Sequence, residues 1–124
     1  MKRIVFALLA PVLTSCVSSA VFAQASDAAA GQRLYQQRCG ACHQIATPRN
    51  GFGPHLQGVI GRAAGTVQGF NYSPALRDSG ITWNAVTLET YLANPTEMVR
   101  GTRMIQRFNN ADERREIIEF LSTN

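Results

Sequence analysis

Several features that are common in proteins are scarce or missing in this sequence. Lysine occurs only at Lys2, and cysteine occurs three times in 124 residues. No dense basic run with interleaved aromatic residues is present, so the sequence does not indicate nucleic-acid binding. There is no acid/base dyad, nucleophile triad or phosphate-binding loop, so we expect no catalytic residues and no enzyme activity. Strand signals are sparse and no internal repeat occurs, which indicates a single α-class domain.

The first 23 residues have the composition of a secretory signal. Two basic residues precede an apolar run from Ile4 to Leu13, and small residues follow as far as Ala23. The run is too short and too interrupted to be a strong membrane span. We therefore expect residues 1–23 to be removed on export to the periplasm, and residues 24–124 to form the mature domain.

A second processing site competes with this interpretation. Residues 13–16, Leu-Thr-Ser-Cys, resemble the lipobox of bacterial lipoproteins, in which the cysteine is lipidated and becomes the mature N-terminus. Processing there would give a membrane-anchored lipoprotein held through Cys16. Cleavage after Ala23 would instead discard this cysteine, so the two alternatives predict different masses for the exported protein.

The expected mature chain carries little net charge. The formal charge of the whole sequence is +4, and removal of Lys2 and Arg3 lowers it to +2. All the basic residues that remain are arginine. About 100 residues are left, which is enough for one modest hydrophobic core.

Residues 39–43, Cys-Gly-Ala-Cys-His, form the strongest functional motif in the chain. Two cysteines separated by two residues and followed by histidine are the attachment pattern of c-type haem. Each thiol can add to one haem vinyl group, and the adjacent imidazole can ligate the iron. A thioredoxin-like dithiol would need a βαβ context, which is not visible here. A zinc site would have only Cys39, Cys42, His43 and His55 as ligands.

Four helices are expected, each beginning after a residue that can cap its first turn. The expected helices and caps are 28–39 after Ser26 or Asp27, 74–80 after Ser73, 85–93 after Asn84, and a last helix after Asn110. Residues 44–71 are rich in Gly, Pro and Asn and are expected to form a loop. Because so long a loop is uncommon in a small domain, we expect a cofactor to fill the space that it encloses.

The last helix has the clearest periodicity. Asn110 and Glu113 form a start that resembles a capping box. The helical pattern predicts a buried apolar stripe and a solvated polar face. The stripe consists of Ile117, Ile118, Phe120 and Leu121, and the polar face consists of Arg114, Arg115 and Glu116. We expect the stripe to pack against Gly31 and Tyr35 on the first helix.

From Gly31 to the C-terminus the sequence resembles a class I c-type cytochrome of the small soluble mitochondrial and bacterial type. The resemblance rests on ordered segments besides the 39–43 motif, namely Gly31 with Tyr35 four residues later, 53–62 (GPHLQGVIGR), 69–73 (GFNYS), 80–83 (GITW), 91–95 (YLANP) and 101–104 (GTRM). It implies the all-α cytochrome c fold, with helices and long loops wrapped around one haem that is attached through Cys39 and Cys42.

The resemblance also implies the iron ligands, His43 and Met104. Imidazole binds both oxidation states of iron, and a thioether favours Fe(II) and raises the reduction potential. The carbonyl of Pro54 is expected to accept a hydrogen bond from His43 and to fix its tautomer. Met98, the other methionine after Met1, is expected to have a packing role.

Five further residues match family positions near the haem. The resemblance places Arg62, Tyr72 and Trp83 beside the haem propionates, Tyr91 beside the ligand methionine, and Thr102 beside a propionate. For Tyr72 and Trp83 the alternative role is packing in the core, and for Arg62 it is a solvated charge. Arg100 stands where the family has proline, and Gln106 where it often has an aromatic residue, so we expect a loose Met104 loop.

The resemblance implies an electron carrier between periplasmic or membrane redox proteins, such as a dehydrogenase, a cytochrome complex or a terminal oxidase. The arginines at 38, 49, 100, 103 and 107 are candidates for docking at the haem edge, and the alternative is that they are five unrelated solvated side chains. A haem enzyme or gas sensor with a displaceable Met104 is the alternative function. A dedicated subunit of one dehydrogenase would use the same chemistry without free diffusion.

Overall fold

The structure is a computed structural model that describes the backbone of residues 20–124 and the side chains of residues 28–124. Five helices occur in this range, α1 (Ala20–Arg38), α2 (Pro74–Arg77), α3 (Ala85–Ala93), α4 (Pro95–Met98) and α5 (Ala111–Ser122). The only extended pairing in the same range is an isolated bridge between Ala63 and Thr82. The all-α prediction is therefore confirmed. No helix in the described range is long and apolar enough to cross a membrane.

Three predicted caps are present because they depend only on neighbouring residues. The Ser73 hydroxyl accepts from the Leu76 amide at the start of α2. Asn84 forms a full capping box with Thr87 at the start of α3. The Asn110 side chain accepts two amide hydrogen bonds at the start of α5. α2 is shorter than expected, and α4, which follows Asn94 directly, was not predicted as a separate helix.

The predicted start of the first helix is wrong. The described part of α1 extends back to Ala20, so Ser26 and Asp27 lie inside the helix and do not cap it. Alanine is abundant between Ala20 and Ala30 and no glycine or proline interrupts this stretch, so nothing in it ends a helix. Most of the expected signal segment, including Cys16, lies outside the described residues.

The expected packing of α1 against α5 is confirmed. A Cβ atom at Gly31 would overlap the Glu116 carbonyl and lie 2.9 Å from the Phe120 Cβ, so only glycine allows this crossing. Tyr35 packs on Phe120 with ring centroids 5.3 Å apart. Ile117, also on α5, is fully buried. Helices at the two ends of the chain thus enclose one core.

The polar face of α5 differs from the prediction at Arg114. Its side chain is only 12% exposed and forms an ion pair of 2.6 Å with Glu89 on α3. It also donates to the carbonyl oxygen of Phe108, whose ring is completely buried. Arg115 is exposed, as expected. Arg114 is inside because two acceptors outside α5, the Glu89 carboxylate and the Phe108 carbonyl, compensate its desolvation.

No helix occurs between Arg38 and Pro74, as the loop prediction required. Side chains stabilise this region by binding backbone atoms of other loop segments. The side-chain amide of Asn50 donates through Nδ2 to the Gln68 carbonyl and accepts through Oδ1 from the His55 backbone amide. These hydrogen bonds join distant parts of the loop, which therefore has a defined path around the core.

Candidate functional site

The predicted attachment motif continues directly from the end of α1. The Cys39 amide donates to the Tyr35 carbonyl and the His43 amide donates to the Cys39 carbonyl, at 2.8 and 2.9 Å. The Tyr35 hydroxyl donates back to the His43 carbonyl at 2.7 Å. Sequence reasoning assigned Tyr35 to helix packing only and missed this second contact. The tyrosine therefore connects the α1–α5 crossing to the motif.

The two thiols of the motif differ in their environment. Cys39 is buried, Cys42 is exposed, and the two are not joined by a disulfide. Burial raises the pKa of Cys39 to about 11, against a smaller opposing effect of the Arg38 charge. The protonated form of the free Cys39 thiol is thus favoured over the thiolate. Both sulfurs are free for covalent attachment of a cofactor.

The imidazole of His43 has one nitrogen engaged. Its Nδ1 lies 2.7 Å from the carbonyl oxygen of Pro54. This carbonyl accepts only when Nδ1 carries the proton, which leaves the Nε2 lone pair available to a metal. Burial lowers the pKa of His43, and the hydrogen bond to Pro54 partly offsets that effect. The neutral, metal-binding form is thus favoured.

Gly53 lies directly against the His43 ring. A Cβ atom at this glycine would overlap three ring atoms. The sequence shows Gly53 as part of a family segment, but its contact with the imidazole is visible only in three dimensions. The glycine and the Pro54 carbonyl together determine the orientation of the ring.

The zinc alternative lacks the geometry that it needs. Within the described part of the chain, no three His, Cys, Asp or Glu side chains are grouped closely enough to bind a metal ion. His55 is half-buried, and its Nδ1 has no hydrogen-bond partner among these residues. It therefore does not complete a site with Cys39, Cys42 and His43. The donor set fits one imidazole ligand and two thiols for covalent attachment.

A second group of predicted residues lies in the core. The rings of Trp83 and Tyr91 are 5.0 Å apart, and the Tyr91 hydroxyl is 2.6 Å from the Thr102 hydroxyl. All three side chains are buried. Burial raises the pKa of Tyr91, and the hydrogen bond to Thr102 partly offsets this effect. The pair connects α3 to the segment that leads into Met104.

Met104 is half-buried and packs against the hydrophobic core. Met98, at the end of α4, also packs on the core, as expected for a packing residue. Beyond Met104, the side chains of Ile105, Gln106 and Arg107 are exposed. The chain becomes buried again only at Phe108. Met104 therefore begins a short exposed segment.

The remaining two predicted contact residues belong to the long loop. Arg62 donates to the carbonyl oxygens of Gln57 and His55, at 3.0 and 2.8 Å. Its own carbonyl accepts from the Trp83 amide at 2.9 Å, which links the loop to the Trp83 group. Tyr72 is buried, with Phe70 packed edge-on at 4.8 Å. The role of Phe70 was not predicted.

Comparison with known proteins identifies the family. A family model described as Cytochrome c matches residues 28–124. Cytochrome c2 of Rhodomicrobium vannielii is 40% identical over 125 residues, which cover 99% of this chain and 97% of that protein. Cytochrome c 2.1 of Caenorhabditis elegans is 42% identical over 98 residues, 78% of this chain and 88% of that protein. The chain belongs to the cytochrome c family.

The solved structures agree with this assignment. Cytochrome cH from Methylobacterium extorquens superposes with a TM-score of 0.73 at 39% identity, covering 79% of this chain and 99% of that chain. The cytochrome c fold is therefore confirmed. Cytochromes c are electron-transfer proteins that carry covalently attached haem, so this chain is a haem-containing electron carrier that acts with redox protein partners.

The five arginines proposed for docking in this cytochrome c do not have equal environments. Arg38 lies 3.8 Å from Glu113 and stacks over Phe108. Arg103 donates to the Asn71 carbonyl, and Arg107 approaches the Thr96 hydroxyl at 3.4 Å. Arg49 and Arg100 are exposed and form no ion pair within the described residues. Arg103 and Arg107 bind only neutral acceptors, so the charges of all four arginines other than Arg38 are available to a partner.

Proposed function

We propose that this cytochrome c carries one electron at a time on a single haem c, with His43 and Met104 as axial ligands. Cys39 and Cys42 would form the two thioether links. When bound, haem c supplies an iron centre that alternates between Fe(II) and Fe(III). If His43 and Met104 both bound the iron, the protein would leave no position on it for a substrate, which favours a carrier over an enzyme.

The hydrogen bond between His43 Nδ1 and the Pro54 carbonyl is the observation that carries this proposal. It holds the proton on one nitrogen and leaves Nε2 as a donor of fixed direction. The adjacent Gly53 leaves the ring no space to turn toward the loop. These groups would keep the imidazole in one orientation while it holds the haem iron, which would limit rearrangement of the protein during electron transfer.

The Tyr91–Thr102 hydrogen bond supports the role of Met104. Thr102 is two residues before the methionine and is fixed to α3 through the buried tyrosine hydroxyl. The Thr102 amide also donates to the Val99 carbonyl at 3.1 Å. The residues before Met104 are therefore held by side-chain and backbone contacts, which restrict the position of the methionine. Arg62, Tyr72 and Trp83 would provide donors and packing around the haem.

We further propose that the mature protein works in the periplasm after removal of residues 1–23. Its partners would be a dehydrogenase, a cytochrome complex or a terminal oxidase, docked at the haem edge with help from arginine side chains. The mass of the exported protein tests the location. A chain that begins near residue 24 and carries one haem is expected, whereas an acylated chain that begins at Cys16 would make it a lipoprotein.

Matched methionine variants test the ligation. The ferric protein is expected to show the near-infrared charge-transfer band of an Fe–S(Met) bond. Met104→Leu should abolish the band, and Met98→Leu should preserve it, because only the former removes the proposed ligand. Loss of the band in Met98→Leu with retention in Met104→Leu would reverse the assignment.

The same samples separate a carrier from the alternative functions. The carrier is expected to show reversible one-electron reduction and slow binding of cyanide and carbon monoxide at neutral pH. Rapid binding of either molecule to the wild-type protein would instead favour a haem enzyme or gas sensor with a displaceable Met104. Met104→Leu, in which the sixth position is opened, provides the reference for rapid binding.

A further inference from the structure

Phe52 is the most exposed of the large apolar side chains in the described range, at 90%. Single apolar residues on a surface are common, so exposure alone assigns no role. Phe52 is distinguished by the turn that carries it, which lies on the haem-attachment motif. Both neighbours of Phe52 in the sequence are glycines, Gly51 and Gly53.

The two glycines press the backbone of this turn against the motif. The Gly53 amide donates to the Cys42 carbonyl at 2.9 Å, and the Gly51 amide donates to the Gly53 carbonyl at the same distance. A Cβ atom at Gly51 would be 2.8 Å from the Cys42 carbonyl oxygen, and one at Gly53 would overlap the His43 ring. Phe52 is therefore the one side chain of the turn, and it is almost fully exposed to solvent.

The sequence around this turn contains no negative charge. Residues 28–77 include five arginines and no aspartate or glutamate, and residues 98–111, which contain Met104, include three arginines and no acid. The acidic residues of the described side chains are Asp78, Glu89, Glu97, Asp112, Glu113, Glu116 and Glu119. Arg49, three residues before Phe52, is exposed and unpaired among the described residues. An acidic partner meets no like charge on the segments that contain the attachment motif and Met104.

We propose that Phe52 is the apolar anchor of the docking surface for a redox protein whose own face has an apolar recess bordered by carboxylates. The proposal rests on the electron-carrier function given above. Aromatic side chains that enter a partner's pocket contribute much of the binding energy of an interface, and the surrounding charges mainly accelerate association. Phe52 would thus stabilise the complex, and Arg49 would accelerate its formation.

Oxidation of the reduced holoprotein by respiratory membrane vesicles of the source organism tests the anchor. Phe52→Ser is expected to raise KM about tenfold with little change in kcat, and Phe52→Leu should recover most of the loss. Val86→Ser is the matched control, because Val86 is 75% exposed on α3, a helix outside the motif. The Fe–S(Met) band of each variant confirms that it is correctly folded.

Each other outcome counts against a defined part of the proposal. Equal KM values for wild type and Phe52→Ser would overturn the anchor and leave the carrier function intact. Wild-type protein that can be reduced chemically but is not oxidised by the vesicles would overturn both. Sedimentation velocity adds a further test, since self-association of wild type that Phe52→Ser abolishes would assign the residue to contact with a second copy.

The salt dependence of kcat/KM tests whether carboxylates surround the apolar recess on the partner's face. The rate should fall as salt rises, and Phe52→Ser should leave that slope unchanged because it removes no charge. Arg49→Gln should flatten the slope, whereas Arg115→Gln, a change at an exposed arginine on α5, should not. A wild-type rate that is independent of salt would exclude an acidic partner face.

Discussion

Arg103 donates a hydrogen bond of 2.7 Å from its Nη1 to the carbonyl oxygen of Asn71, 32 residues earlier in the chain. The bond joins the segment before Met104 to the loop that ends at α2. Arg103 precedes Met104 in the chain, as does Thr102, whose hydroxyl contacts the Tyr91 hydroxyl. Contacts on the other side are fewer until Phe108, where the backbone amide donates to the Leu92 carbonyl at 2.9 Å. The methionine segment is thus held more firmly before Met104 than after it.

Removing this bond should loosen Met104. We expect Arg103→Gln to raise the equilibrium constant for opening of the methionine segment about fivefold, since a hydrogen bond of this kind contributes about 1 kcal/mol. Arg103→Lys should retain part of the effect. The measurement is the rate of cyanide binding to the ferric protein, with Arg100→Gln as control because Arg100 has no such side-chain hydrogen bond among the described residues. Equal rates for Arg103→Gln and wild type would contradict the prediction.

The prediction of a loose Met104 loop still needs its own test. Arg100 in place of proline and the exposed Gln106 both remove restraints on the segment. Arg100→Pro is therefore expected to extend the Fe–S(Met) band to higher pH, and Arg100→Ala provides the control for loss of the charge alone. A wild-type band that already persists to unusually high pH would show that the segment is not loose.

The hydroxyl pair of Tyr91 and Thr102 should be costly to break from one side. Thr102→Val leaves the buried tyrosine hydroxyl without its partner, so we expect about 1–3 kcal/mol of lost stability. The pKa of Tyr91 should rise further, because the hydrogen bond that lowers it is removed. Denaturant unfolding and a tyrosine absorbance titration measure the two effects. The double variant Tyr91→Phe/Thr102→Val should lose less stability than the sum of the two single variants, because it leaves no buried hydroxyl without a partner.

Tyr35 predicts a pH dependence of stability. Burial is the main cause that raises its pKa from 10.0 to about 12, and negative charge on Cys39 adds a smaller effect that would be absent once Cys39 forms a thioether link. Above pH 10 the unfolded tyrosine loses its proton and the folded one keeps it, so this contribution to stability is lost as the pH rises from 10 toward about 12. Tyr35→Phe should reduce that loss. It should also cost about 1 kcal/mol at neutral pH by removing the hydrogen bond to His43. An unchanged alkaline slope would contradict the assignment.

Two neighbouring arginines on α5 should respond differently to the same substitution. Arg114→Met leaves Glu89 and the Phe108 carbonyl without their donor, and we expect a loss of about 2 kcal/mol. Arg115→Met changes a side chain that is 69% exposed, so its effect should lie within about 0.5 kcal/mol. Urea unfolding of both holoproteins gives the comparison. Similar losses for the two would mean that burial of Arg114 contributes nothing.

Features that depend on adjacent residues were predictable from the sequence. The caps at Ser73, Asn84 and Asn110 belong to this class, because a side chain there needs only the amides of the next turn. The cytochrome c fold could be predicted because the 39–43 motif and the Gly-Thr-Arg-Met segment occur in a recognisable order. The extent of α1 was missed because Ser26 and Asp27 can cap a helix only if the helix starts next to them, and here the helix continues through both residues.

Contacts between distant segments were decided by tertiary structure alone. The pairing of Arg114 with Glu89 and the bond from Arg103 to Asn71 join residues 25 and 32 positions apart, and no local pattern encodes either contact. The contact of Gly53 with His43 likewise depends on how the loop returns to the motif. The sequence by itself thus predicted the haem-attachment motif and the starts of α2, α3 and α5, because each resides in a short segment. The fold alone decided which groups orient His43, hold Met104 and expose Phe52, because those properties arise only when the chain closes on itself.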